Sequence, residues 1–165
     1  MTPAQNSTEA PLKTPMASLP PGVKLRSLPK WARFREGRDR PQYQYRFPSG
    51  VTVVQCDTPK GTVIFTGGQG EFHIFRAQRE TVRRIIATIR EEILPLDYDE
   101  DAPLWRRVFG RPVRQTRYPV GDDIEIVYSL GRWGLRKLGQ GMAPSLAKKA
   151  ELRALASVLD HILQA

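Results

Sequence analysis

Hydrophobic and polar positions alternate with one period in the first half of this chain and switch period near its middle. Tyr43, Tyr45 and Phe47 alternate with Gln44 and Arg46, which is the two-residue repeat of a half-buried strand. Pro48-Ser49-Gly50 reads as a turn, and the β-branched run Val51–Cys56 as a second strand. Asp57-Thr58-Pro59-Lys60-Gly61 is a further turn, Thr62–Thr66 a third strand, and Glu71–Arg76 a fourth after the break Gly67-Gly68-Gln69-Gly70. Links this short imply an antiparallel meander.

The repeat then changes to three and four residues. Val82, Ile85, Ile86, Ile89 and Ile93 predict an amphipathic helix over 78–94, ended by Pro95, whose apolar stripe covers one face of the meander. An acidic loop follows at Asp97, Asp99, Glu100 and Asp101, then one possible helical turn at Leu104–Phe109. Val113–Val120 and Ile124–Leu130 predict a hairpin around Gly121-Asp122-Asp123. Gly131–Gly141 reads as a short helix or a loop. Ser145–Leu163 reads as a helix with Leu152, Leu155, Leu159 and Ile162 on its apolar stripe. The predicted fold class is α+β: an antiparallel sheet with helices packed on one face, plus a C-terminal helix and a disordered N-terminal tail. The expected organisation is a basic, Pro-rich extension over 1–40, an α+β domain over 41–142 and the C-terminal helix over 143–165.

Charge changes this picture. Twenty-six basic against seventeen acidic residues give a net charge of +9. Residues 1–40 and 126–165 are both strongly basic, and the acidic loop lies between them. Arginine grips phosphate bidentately and stacks on bases, so the balance points to a polyanionic partner. Residues 1–23 are rich in Pro, Ser, Thr and Ala without apolar periodicity, so regular structure and many internal contacts are not expected there. Over 24–40, Lys24, Arg26, Lys30, Arg33, Arg35, Arg38 and Arg40 interleave with Leu25, Leu28, Trp31 and Phe34. That pattern suits an arm lying along a phosphate backbone, and equally a segment whose rings pack on the protein's own core. An organelle-targeting peptide is a third reading.

Candidate chemistry is sparse. The single cysteine, Cys56, excludes a disulfide framework and reads as a buried thiol in its strand. Asp122, Asp123 and Glu125 carry the residue types of a Mg²⁺ site, but the two aspartates also have the look of a hairpin tip. Gly67–Gly70 resembles a phosphate cradle but lacks the Lys-Ser/Thr of a P-loop, so a glycine turn is the expectation. His73 reads as a strand residue. No apolar run approaches the roughly 20 residues needed to cross a bilayer. No cofactor, metal, membrane or small-molecule substrate is expected. What remains is basic surface: Arg76, Arg79 and Arg83 along the fourth strand and first helix, and Arg132, Trp133, Arg136 and Lys137, which set a ring among cations.

Tyr45-Arg46-Phe47-Pro48-Ser49, the strand Val51–Val54, the Lys60-Gly61 turn, the helix over 79–93, the strand Ile124–Tyr128 and the run Gly131–Met142 carry a resemblance. In this order of elements the chain resembles, over about 43–142, the mitochondrial large-subunit ribosomal protein family numbered forty-nine. That family shares the SUI-type fold of translation initiation factor one. The resemblance implies a sheet backed by two helices, no catalysis, ribosomal RNA and neighbouring proteins as partners, and a mitochondrial location. Without it the expectation is cytoplasmic.

The leading expectation is a non-catalytic RNA-binding protein, a structural component of a ribosomal large subunit. Arg33, Arg35, Arg38, Arg40, Arg76, Arg79, Arg83, Arg132, Trp133, Arg136 and Lys137 are its candidate nucleic-acid contacts. Competing readings are a phage- or plasmid-type regulator, working on DNA or on a protein held by the acidic loop or last helix, and a small nuclease using Asp122, Asp123 and Glu125.

Overall fold

The two-residue repeat folds as an antiparallel meander in the computed structural model, which describes residues 14–56, 58, 62–67, 74–97, 100–103, 105, 115–129, 132–138, 145–146 and 148–164. Expectations that fall on Lys60-Gly61, Gly68–Gly70, His73, Asp99, 106–109, Gly131 and 139–142 lie outside those residues. The first sheet runs in the order β1 (Lys24–Ser27), β2 (Gln42–Arg46), β3 (Thr52–Cys56), β4 (Val63–Thr66) and β5 (Ile74–Ala77). Its register pairs Leu25 with Tyr45, Tyr45 with Val53, Val53 with Phe65 and Phe65 with Phe75. One row of side chains on one face is therefore apolar, and it faces the core.

Helix α1 (Arg79–Ala87) follows and continues without a break as a π-helical stretch, Thr88–Ile93. Val82, Ile85, Ile89 and Ile93 are fully buried, as their spacing predicts. A second sheet then forms from β6 (Arg117–Gly121), β7 (Ile124–Ser129), β8 (Arg132–Lys137) and β9 (Ser145–Leu146), each antiparallel to the next. Helix α2 (Lys149–Leu163) closes the chain. A meander followed by a helix thus occurs twice. The fold is α+β, and the inner faces of both sheets and the stripes of both helices share one continuous core.

Three differences from the sequence reading have physical causes. Residues 24–27 are an edge strand of the first sheet, not part of a loose extension, because Val23 and Leu28 are buried at its two ends. The run through 132–137 is a strand, not a helix or loop. Trp133 and Leu135 alternate with Gly134 and Arg136, and that alternation matches the pleat of β7. Residues 14–22 have no helix or strand, as expected, but they are held. The Met16 amide donates to the Tyr45 hydroxyl at 3.1 Å, and Met16 and Leu19 pack on the main core.

The turn between β6 and β7 ties the two halves together. Asp122 and Asp123 both have positive φ, 51° and 57°, the conformation of a two-residue hairpin tip. The Asp122 carboxylate accepts from the Gln78 amide and the Thr81 hydroxyl, both at 2.7 Å. It therefore caps α1, whose own cap residue, Gln78, makes no side-chain cap. Gly121 permits this approach, since a Cβ there would lie 2.7 Å from Thr81 Oγ1.

Candidate nucleic-acid interface

The second face of the first sheet is built from the other residue of each strand pair. Lys24 pairs with Arg46, Arg46 with Thr52, Thr52 with Thr66 and Thr66 with Ile74. In the next row Arg26 pairs with Gln44, Gln44 with Val54, Val54 with Ile64 and Ile64 with Arg76. This outer face is cationic and polar at its rim, with Val54 and Ile64 apolar at its centre.

Residues 28–41 cover that apolar centre. Leu28, Val54, Cys56 and Ile64 form a second small core, and Phe34 packs against it. The cover is pinned by Gln42, which is fully buried at the start of β2. Its Oε1 accepts from the Phe34 amide at 2.8 Å, and its Nε2 donates to the carbonyls of Phe34 (2.9 Å) and Glu36 (2.7 Å). Arg33 and Arg38 exchange further bonds within the segment, Arg33 Nη1 to the Arg38 carbonyl at 3.1 Å and Arg38 Nη2 to the Arg33 carbonyl at 3.3 Å. Arg76 reaches from β5 to an ion pair with Glu36. Burial pushes the Glu36 carboxyl up, but the Arg76 bond and the nearby guanidinium charges hold it below the ordinary range.

The two rings of this segment therefore divide. Phe34 is a packing residue. Trp31, in a 3-10 turn over Lys30–Ala32, is 88% exposed. This large ring, held in solvent by a braced backbone, has Lys30, Arg33 and Arg35 as near neighbours in the sequence. Lys24, Arg26, Arg46 and Arg76 are exposed on the outer face of the first sheet. Among the described residues of β1–β5 and the 28–41 cover, the only acidic side chains on this side are Glu36 and Asp39.

The remaining candidate contacts are scattered by the fold. Trp133 is not a surface ring. It is 1% exposed in the core, tilted against Tyr128 (centroids 5.0 Å) and Tyr118 (6.0 Å). Arg79 donates to the carbonyl of Leu163 and so closes the C-terminus of α2. Arg83 lies on the exposed side of α1 near Glu80. Neither helix arginine shares the outer face of the first sheet. Arg136 lies on the outer face of the second sheet, Arg132 is on the same strand, and Lys137 is exposed at its end. Arg46 stands outside the basic pattern read from the sequence, because only the β1–β2 register places it beside Lys24.

Several of the acidic residues singled out in the sequence have structural partners. Asp122 caps α1, and Glu125 is clamped between Arg117 and Arg136. The three carboxylates read as a nuclease set are not brought together, and no metal-binding group of three occurs among the described residues. Glu100 accepts from the Lys149 amide at 2.7 Å and Asp101 pairs with Lys148 at 2.7 Å, so the acidic loop grips the start of α2. Among the described residues no helix is long and apolar enough to cross a membrane. Comparison of the chain with protein-family models, with curated proteins and with solved structures returns no match.

Proposed function

We propose that this protein is a non-catalytic RNA-binding protein whose interface is the outer side of the first sheet together with the segment over residues 28–41. One observation carries the reading: an almost fully exposed Trp31 is held on a hydrogen-bonded segment within a one-sided field of arginine and lysine. Unstacked bases of single-stranded RNA stack on such a ring, and guanidinium groups hold the phosphates beside it. The finer reading, a component of a ribosomal particle, rests on this interface and on the family resemblance. Co-sedimentation with ribosomal particles tests it.

The experiment is titration of a labelled single-stranded RNA with wild type and Trp31→Ala. Loss of the ring should cost about 1–3 kcal/mol of affinity with a nearly unchanged melting temperature, because the residue is almost wholly exposed. Equal affinity of the two proteins, or no binding by wild type at low salt, rejects the reading.

A further inference from the structure

The outer face of the second sheet carries an arrangement that the first interface does not use. Glu125 in β7 stands opposite Pro119 in β6 and Arg136 in β8, and Arg117 lies diagonally across from it. Its side chain is 1% exposed, although it points away from the main core. Two guanidinium groups cover it. Arg117 donates from Nε and Nη2 to the two carboxylate oxygens, both at 3.1 Å, and Arg136 donates from Nε at 2.6 Å. Burial pushes the Glu125 carboxyl up, but these bonds and charges hold it below the ordinary range, so it is ionised.

Such a clamp is a poor device for stability alone. A buried ion pair gains little over well-packed apolar side chains, and Val127 shows that this same face accepts one. What the clamp does is fix two guanidinium groups side by side. Each carries five N–H donors. Arg117 gives two to Glu125 and Arg136 gives one, so both keep donors over. One carboxylate against two guanidinium groups also leaves a net positive charge. Arg117 is 57% exposed and Arg136 27%, so solvent reaches both.

We propose that Arg117 and Arg136, held by the buried carboxylate of Glu125, form a second phosphate seat for the same RNA, on the outer face of the second sheet. This deepens the reading proposed above and rests on it. Fixed guanidinium pairs bind phosphodiester oxygens with less loss of side-chain freedom than mobile ones.

The test is Arg117→Gln in the full chain, assayed with a single-stranded RNA across a salt series. Arg153→Gln, an exposed cation on α2, is the control of equal charge change. Removal of one phosphate contact should flatten the log–log salt slope by about 0.7 and weaken binding several-fold at low salt, while the control keeps the wild-type slope. A folding check by melting accompanies each protein. A wild-type slope and affinity for Arg117→Gln, or an equal loss in the control, overturns the seat. If Arg117→Gln is silent while Trp31→Ala weakens binding, the seat alone fails. If both are silent, the RNA reading itself fails and the seat with it.

Discussion

Gln42→Ala should release the cover segment from the first sheet without unfolding the protein. The side chain is fully buried and satisfies three backbone groups, the amide and carbonyl of Phe34 and the carbonyl of Glu36. Each bond contributes about 0.5–1.5 kcal/mol net, and an unmatched buried group costs more. Water can replace part of this, because the segment is only partly buried. The expected loss is therefore about 2–4 kcal/mol. The Leu28 amide still donates to the Gln42 carbonyl at 2.8 Å, so β1 should stay paired. Phe34 loses its restraint over Val54, Cys56 and Ile64, and the Cys56 thiol becomes open to reagents. Urea denaturation gives the energy, amide exchange at Phe34 reports the release, and thiol labelling reports the uncovering of Cys56. A loss under about 0.5 kcal/mol with the Phe34 amide still protected would refute the anchoring role. RNA affinity should fall as well, since Trp31 and the arginines would no longer be held in place.

Other outcomes follow from single contacts. Leu155→Asp puts an unpaired charge at a fully buried position of α2 and should cost several kcal/mol, seen as a large drop in melting temperature; an unchanged value contradicts the packing described here. Asp122→Ala removes the cap of α1 and should cost about 1–3 kcal/mol in urea denaturation, with amide exchange rising first at Gln78, whose amide loses its acceptor. Glu125 has a folded-state pKa below its ordinary value of 4.5, so its stabilising effect is complete above that value and is lost as pH falls through the folded pKa. Glu125→Gln should therefore flatten the acid limb of the stability–pH curve, and an identical limb in both proteins would contradict the clamp.

Much of the fold was legible because its two periods are clean. Tyr45 and Phe47 and the isoleucines over 85–93 bury the side their spacing predicts, and the β-branched run Val51–Cys56 is a strand buried on both faces. The failures have a common cause: composition masked a pattern that was present. Leu25 alternates with Lys24 and Arg26, yet the arginines made the stretch read as an extension. Trp133 and Leu135 alternate with Arg132 and Arg136, yet the glycines around them suggested a loop. The site was less legible because it depends on what lies across a strand pair. Arg136 reads as a surface cation until the β7–β8 register sets it against Glu125. The Asp122 cap on α1 spans 44 residues of sequence and has no local signature.

The central claim is that the outer side of the first sheet holds RNA phosphates, and its most direct test is the salt dependence of binding. Arg33 and Arg38 brace the segment itself, so they are unsuitable targets. Lys24, Lys30, Arg35 and Arg46 are exposed on the same side, and no bond from their side chains holds the fold among the described residues. Changing these four to glutamine should leave the melting temperature near that of wild type. If most of them contact phosphate, the slope of log affinity against log salt for single-stranded RNA should flatten by about 2–3. A folded quadruple variant with the wild-type slope and affinity would contradict the account.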